Sequence, residues 1–207
     1  MPEFYVSVDV ETDGPCPGIN SMLSIGAVAL HPDTLDEITP AGRFYSNLQL
    51  LPDARPDHDT MSWWRKQGGM YEKTRVDLID PALAMRALAD WLKAISASLP
   101  SEESVPMRPV LVAYPAGFDF TFIYYYCHRY LRECPFGVES LDIKSFASGC
   151  LDLPLFGTVR GTMPTAWQSP LVHDHHALND ALRQADMFRR MMKWRREREL
   201  VLRGNAT

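Results

Sequence analysis

The chain has 207 residues, 46% hydrophobic and 23% charged, an ordinary globular balance that excludes a disordered chain and points to one sizeable domain. Twelve Gly and sixteen Pro leave no collagen-like or low-complexity reading, and no apolar run approaches the ~18 residues of a membrane span. Net charge is −5, yet from Arg183 onward eight Lys/Arg stand against three Asp/Glu, so a basic tail follows an acidic body that cannot coat nucleic acid by bulk charge.

Met1–Glu3 runs without a signal-peptide pattern into Phe4–Glu11, where Phe4, Val6, Val8 and Val10 alternate with Tyr5, Ser7, Asp9 and Glu11. Period two predicts a strand. Asp13-Gly14-Pro15 and Pro17-Gly18 break it, and Met22–Leu30 and Arg43–Leu50 follow as a second and third strand, a meander rather than a crossover. Asp59 or Thr60 can cap a helix carrying Trp63, Trp64 and Gln67, ended by Gly68-Gly69.

Asp80-Pro81 opens a longer helix with Leu83, Ala87, Leu88, Trp91, Leu92 and Ile95 along one side. Ser96–Pro109 reads as loop, Val110–Tyr114 as a short buried strand, Pro115–Gly117 as a turn and Phe118–Arg132 as an apolar helix. Leu141–Ile143 looks like a last strand. His175–Arg198 is the clearest helix, with Leu178, Ala181, Leu182, Ala185, Phe188 and Met192 inward. The pattern predicts an α/β domain with a mixed sheet. Cys16, Cys127, Cys134 and Cys150 form no C-x-x-C pair, so reduced thiols and a cytoplasmic location are expected.

Asp9 and Glu11 share one face of the first strand, ~7 Å apart along the chain. They repel each other unless a cation lies between them, or unless that face is simply solvated. Asp119 follows a buried strand and opens a helix, which makes it either a helix cap or a site residue, since α/β sheets place their sites at strand C-termini. Asp180 lies in an apolar stripe, where an acid rarely stays unpaired. His175 stands five residues before it, suited by its near-neutral pKa to move protons. The cluster His173-Asp174-His175-His176 also leaves a dinuclear zinc hydrolase open, without a second His-rich run to complete it.

Three segments carry a family resemblance. V-D-V-E-T-D-G (Val8–Gly14), V-A-Y-P-A-G-F-D-F (Val112–Phe120) and H-H-A-L-N-D-A (His175–Ala181) resemble, in order, the three exonuclease motifs of the DEDD superfamily, DEDDh subclass, which includes polymerase proofreading domains and RNase T. D-T-M-S-W-W-R-K-Q (Asp59–Gln67) resembles the Trp-Trp-x-x-Gln helix of a bacterial and phage branch related to exonuclease VIII and to small 3′–5′ exoribonucleases. The resemblance implies an RNase H-like mixed five-stranded sheet flanked by helices. It spans about 4–192 of a single exonuclease domain, 1–207, whose basic helical tail occupies about 183–207.

The resemblance also implies chemistry. Asp9, Glu11, Asp119 and Asp180 would hold two divalent cations, Mg²⁺ or Mn²⁺, and His175 would be the general base of a 3′–5′ exonuclease. The products would be nucleoside 5′-monophosphates released from single-stranded RNA or DNA. The partners implied are single-stranded 3′ ends and no membrane, and a homodimer is one assembly open to the chain. Thr12 would meet the terminal sugar, Met22 or Leu23 would wedge against the last base, and Trp63 or Trp64 would stack on a base. Phe118 is carried over as a further contact. The family commonly has His-Asn where this chain has Tyr114-Pro115. A non-catalytic member of the fold would be expected to lose one of the five site positions, and all five stand.

Overall fold

The computed structural model describes residues 2–100 and 105–204, so the end of the basic tail, 205–207, lies outside the described residues. The alternating N-terminal segment is strand β1 (Glu3–Thr12), joined antiparallel to β2 (Met22–Leu30), which is antiparallel to β3 (Arg43–Leu48). Strand β5 (Arg108–Ala113) runs parallel on the other side of β1, followed outward by β6 (Ser140–Asp142). A sixth strand joins the five expected: β4 (Leu78–Ile79) pairs parallel with β3 at Asn47 and Leu48, giving the order β4-β3-β2-β1-β5-β6. Two residues are too few to show a period, so the sequence carried no sign of it.

Both faces of the sheet are covered. Phe4, Val6, Val8 and Val10 pack with α3 (Pro81–Ser98) and α4 (Ala116–Leu131) in one core. The other core holds Val28, Leu30 and Val112 against α6 (Ala177–Gly204), with α5 (Ile143–Leu151) beside it. The short helices α1 (His58–Trp64) and α2 (Met70–Lys73) stand between β3 and β4.

Local chemistry shifts three of the expected helices. Asp57, rather than Asp59 or Thr60, caps α1, its Oδ1 accepting from the Thr60 N–H at 2.8 Å. Helix α3 keeps Asp80 as cap and Pro81 at its start, but its inner face is Ala84, Met85, Leu88, Ala89, Leu92 and Ile95. Leu83 is 61% exposed, and Trp91 instead donates its indole N–H to the Ala41 carbonyl. Helix α6 starts at Ala177, because His175 adopts φ +58° in the left-handed region, where a helix cannot begin.

One glycine decides how closely α6 approaches the sheet. Gly26 on β2 stands opposite Asp9 of β1, and a Cβ there would lie 2.3 Å from the Ala177 carbonyl carbon and the Leu178 nitrogen. Its bare backbone lets the first turn of α6 rest on the strands. Among the described residues no helix is long and apolar enough to cross a membrane, and the four cysteines are free thiols.

Candidate functional site

Strand β1 delivers two carboxylates to the α6 side of the sheet. Along that face Tyr5 meets Phe188 edge-on at 5.1 Å, and the Ser7 hydroxyl donates to the Ala181 carbonyl at 2.8 Å. Asp9 Oδ1 accepts from Gln184 Nε2 at 2.6 Å. The face is therefore packed against α6, not solvated. Beyond Asp9 the β1–β2 register shifts between Glu11 and Thr12, a bulge-type irregularity of the kind that re-aims side chains beside sites.

Helix α6 brings the third carboxylate. Carboxylate oxygens of Asp9, Glu11 and Asp180 lie within 4.8 Å of one another. Burial raises the pKa of all three. For Asp9 the charges of Asp119, Glu11 and Asp180 add to it, and for Glu11 those of Asp180, Asp119 and Asp174. Asp180, 2% exposed, is raised to about 6 by burial, opposed by the nearby His175. Its Oδ2 accepts from the His175 N–H at 3.1 Å, while its Oδ1 is buried with no hydrogen-bond partner.

Asp119 stands apart from that trio. Its Oδ1 accepts from the Val10 N–H at 3.0 Å, which ties the first turn of α4 to β1 between the two acids. Burial still lifts its pKa to about 7 against that favourable bond. Mutually repelling buried carboxylates with an orphan oxygen are unfavourable as they stand. Hard anionic oxygens at this separation suit a divalent cation. The donor set thus fits Mg²⁺ or Mn²⁺.

The histidine cluster divides. Ligand atoms of His173, His175 and Asp180 also lie within 4.8 Å of one another, and His173 Nε2 is 3.5 Å from Asp180 Oδ2. His175 packs edge-on against Trp63 at 4.7 Å and against His173 at 4.3 Å. Burial lowers both imidazole pKa values, with Arg160 adding to the effect at His173 and His173 at His175. His176 turns away, its ring stacked on Tyr45 at 4.5 Å. The four-residue cluster therefore supplies no single metal-binding set.

The substrate contacts carried over from the family are distributed unevenly. Trp63 is 38% exposed beside His175, whereas Trp64 is 2% exposed and donates its indole N–H to the Thr12 carbonyl at 2.8 Å. Trp64 is thus a core residue, and the Thr12 backbone is already bonded to it. Met22 and Leu23 are fully buried and offer no face to a base in this conformation. Phe118 is half-buried, packed on Phe122 at 5.3 Å.

Gln184 was missed by the sequence reading, although it lies one turn after Asp180 on the same helix face, where i, i+4 spacing could have found it. Arg160, whose charge bears on Asp9 and Asp180, had no such signal. The Tyr114-Pro115 departure leaves the start of α4 supported, since the Ala116 N–H donates to Asp142 Oδ2 at 2.7 Å.

Comparisons with known proteins agree with this geometry. A family model described as the 3′–5′ exoribonuclease Rv2179c-like domain matches residues 5–192. The 3′–5′ DNA exonuclease Cap18 of Escherichia coli is 35% identical over 199 residues, covering 96% of each chain. Among solved structures, the nuclease domain of 3′hExo, a DEDDh family member bound to rAMP, matches with a TM-score of 0.64 at 16% identity, over 93% of this chain and 92% of that one. A zinc-bound E. coli ExoI–ssDNA complex matches with a TM-score of 0.67 at 14% identity, over 96% of this chain and 42% of that one. At such identities these two structures speak for the fold, which is the RNase H-like fold that the motifs implied.

Proposed function

Because the chain belongs to the 3′–5′ exoribonuclease Rv2179c-like family and is a 3′–5′ exonuclease, we propose that it removes nucleoside 5′-monophosphates one at a time from single-stranded nucleic acid, using Asp9, Glu11, Asp119, Asp180 and His175. The observation that carries this is the convergence of Asp9, Glu11 and Asp180 within 4.8 Å, with His175 hydrogen-bonded to Asp180 through its backbone.

In this reading Asp9, Glu11 and Asp180 would hold divalent cations. Two such ions, when bound, supply a nucleophile at neutral pH and neutralise charge developing on phosphorus. Asp119 braces β1 through Val10 and completes the acidic set. Gln184 fixes the rotamer of Asp9. An imidazole nitrogen of His175 takes the proton of the attacking water, and the lowered pKa keeps that nitrogen unprotonated near neutral pH. Trp63, part-exposed and packed edge-to-face with the imidazole, is the tryptophan available to stack on the terminal base.

The family description names RNA and the relative's name DNA, so both polymers enter the test. Single-stranded RNA and DNA labelled at the 5′ end are incubated with Mg²⁺ or Mn²⁺ beside their duplex forms. Ladders shortening from the 3′ end, stopped by EDTA and by a 3′-phosphate, are expected. Internal fragments or activity indifferent to EDTA would overturn the reading.

A further inference from the structure

Arg160 lies outside the three motifs, in the short turn Arg160–Thr162 of the connection between α5 and α6. That turn is pinned. The Arg160 carbonyl accepts from Gln168 Nε2, and the Thr162 hydroxyl bonds to Gly157 and Val159 backbone atoms at 2.8–3.0 Å. The guanidinium itself lies 5.3 Å from the centre of the Tyr114 ring, just before the helix that carries Asp119.

From there its charge bears on Asp9, Asp180, His173 and His175 together. Arg160 also packs in one cluster with Arg183 and with Gln184, the residue bonded to Asp9. In that cluster Arg183 Nη1 and Gln184 Oε1 are buried without hydrogen-bond partners. Among the described residues the Arg160 guanidinium makes no ion pair.

We propose that Arg160 is a substrate-binding residue of the reaction: its guanidinium, carried on the face of Tyr114, grips a non-bridging oxygen of the phosphodiester about to be cut. The inference rests on the reading above, in which the acids hold cations at a 3′ end. The reacting phosphate must sit between the cation-binding carboxylates and the base, and the charge of Arg160 reaches both. Four carboxylates repel an incoming polyanion, and a planar guanidinium fork matches phosphate oxygens where a hydrated ammonium does not. The departure at Tyr114 gains a reason as well, because an aromatic face supports a guanidinium.

The test compares the wild-type chain with Arg160→Ala, Arg160→Lys, Tyr114→Leu and Tyr114→Phe on single strands whose last linkage is a phosphodiester or a neutral methylphosphonate. Loss of a charge-assisted bond predicts that Arg160→Ala lowers kcat/KM by roughly 10–100-fold, with Arg160→Lys in between. Tyr114→Phe should recover most of what Tyr114→Leu loses. The slope of log affinity against log salt should fall by about 0.7, one phosphate contact on a single strand. Arg160→Ala should also discriminate less than wild type between the two linkages in binding, a readout that a structural role would not move. Arg160→Gln keeps the stem should the alanine variant fail to fold.

An active wild type beside an Arg160→Ala variant with unchanged kcat/KM and salt slope overturns this proposal alone. So does a variant that melts lower without metal yet regains full activity at saturating Mn²⁺, because Arg160 would then be only a counter-charge for the acids. A wild type inert on both polymers overturns the underlying reading and this proposal with it.

Discussion

Asp180 is buried beside Asp9 and Glu11, and its Oδ1 has no partner. Replacing it with Asn should abolish hydrolysis and, in metal-free protein at pH 8, raise Tm, since a repelling charge is removed. Turnover and melting of the same sample check both halves, and a variant that turns over like wild type would take Asp180 out of the site. The neighbouring histidines should part in the same way. His175→Ala should lower turnover by a factor on the order of 10²–10⁴ with little loss of metal affinity. His176, stacked on Tyr45 away from the acids, should cost about 1–3 kcal/mol of stability as alanine and spare the chemistry. A dead His176→Ala beside an active His175→Ala would reverse the assignment. The five proposed acid and base positions were readable because each stands in a motif. Arg160 was not, because a turn between elements carries no period, and its value comes only from what folds around it.

At the scale of elements, the docking of α6 on β1 and β2 positions the acids. Gly26→Ala would drive a Cβ into the Ala177–Leu178 backbone and should cost about 1–3 kcal/mol, as overpacking does. Because the displaced turn carries Asp180, kcat should fall further than stability alone explains. Denaturant melts beside metal titrations would show it, and unchanged metal affinity would mean that α6 does not set the site. Strand β1 was legible because alternation over Phe4–Glu11 is a strong signal, and β2, buried at every position, was legible as an apolar run resumed after the Gly/Pro turn residues. Helix α3 was legible in extent but not in face: its Ala and Leu residues outnumber what one side needs, so composition alone could not choose between Leu83 and Ala84. Helix α5 and the turns after it were not foreseen. Their apolar residues, such as Met163 and Trp167, are spread along irregular backbone and acquire a common face only against α6.

Over the whole molecule, the acid cluster makes metal-free stability depend on pH. Asp119 and Asp180 rise from 3.8 to about 7 and about 6, and Asp9 and Glu11 also rise well above their ordinary values. The folded state then holds protons that the unfolded chain has released, so this stability is complete below about pH 4 and is lost as pH climbs through the folded pKa values. The lowered imidazoles of His173 and His175 act oppositely below 6.5, but four carboxylates outnumber them. In EDTA, Tm should therefore be lower at pH 8 than at pH 5, and Mg²⁺ or Mn²⁺ should raise it more at pH 8. Equal melting at the two values, with and without metal, would show that the carboxylates do not repel as described. The bonds that close the site join Ser7 to Ala181 and Asp9 to Gln184, spans of 174 and 175 residues. A chain emerging from the ribosome at ~5–20 residues per second therefore carries Asp9 and Glu11 for many seconds before Asp180 exists to meet them. Contacts of such sequence separation are also slow to form. If the proposed acids do the chemistry, a half-made chain cannot degrade the nucleic acid around it, because the nuclease comes into being only when helix α6 settles onto strand β1.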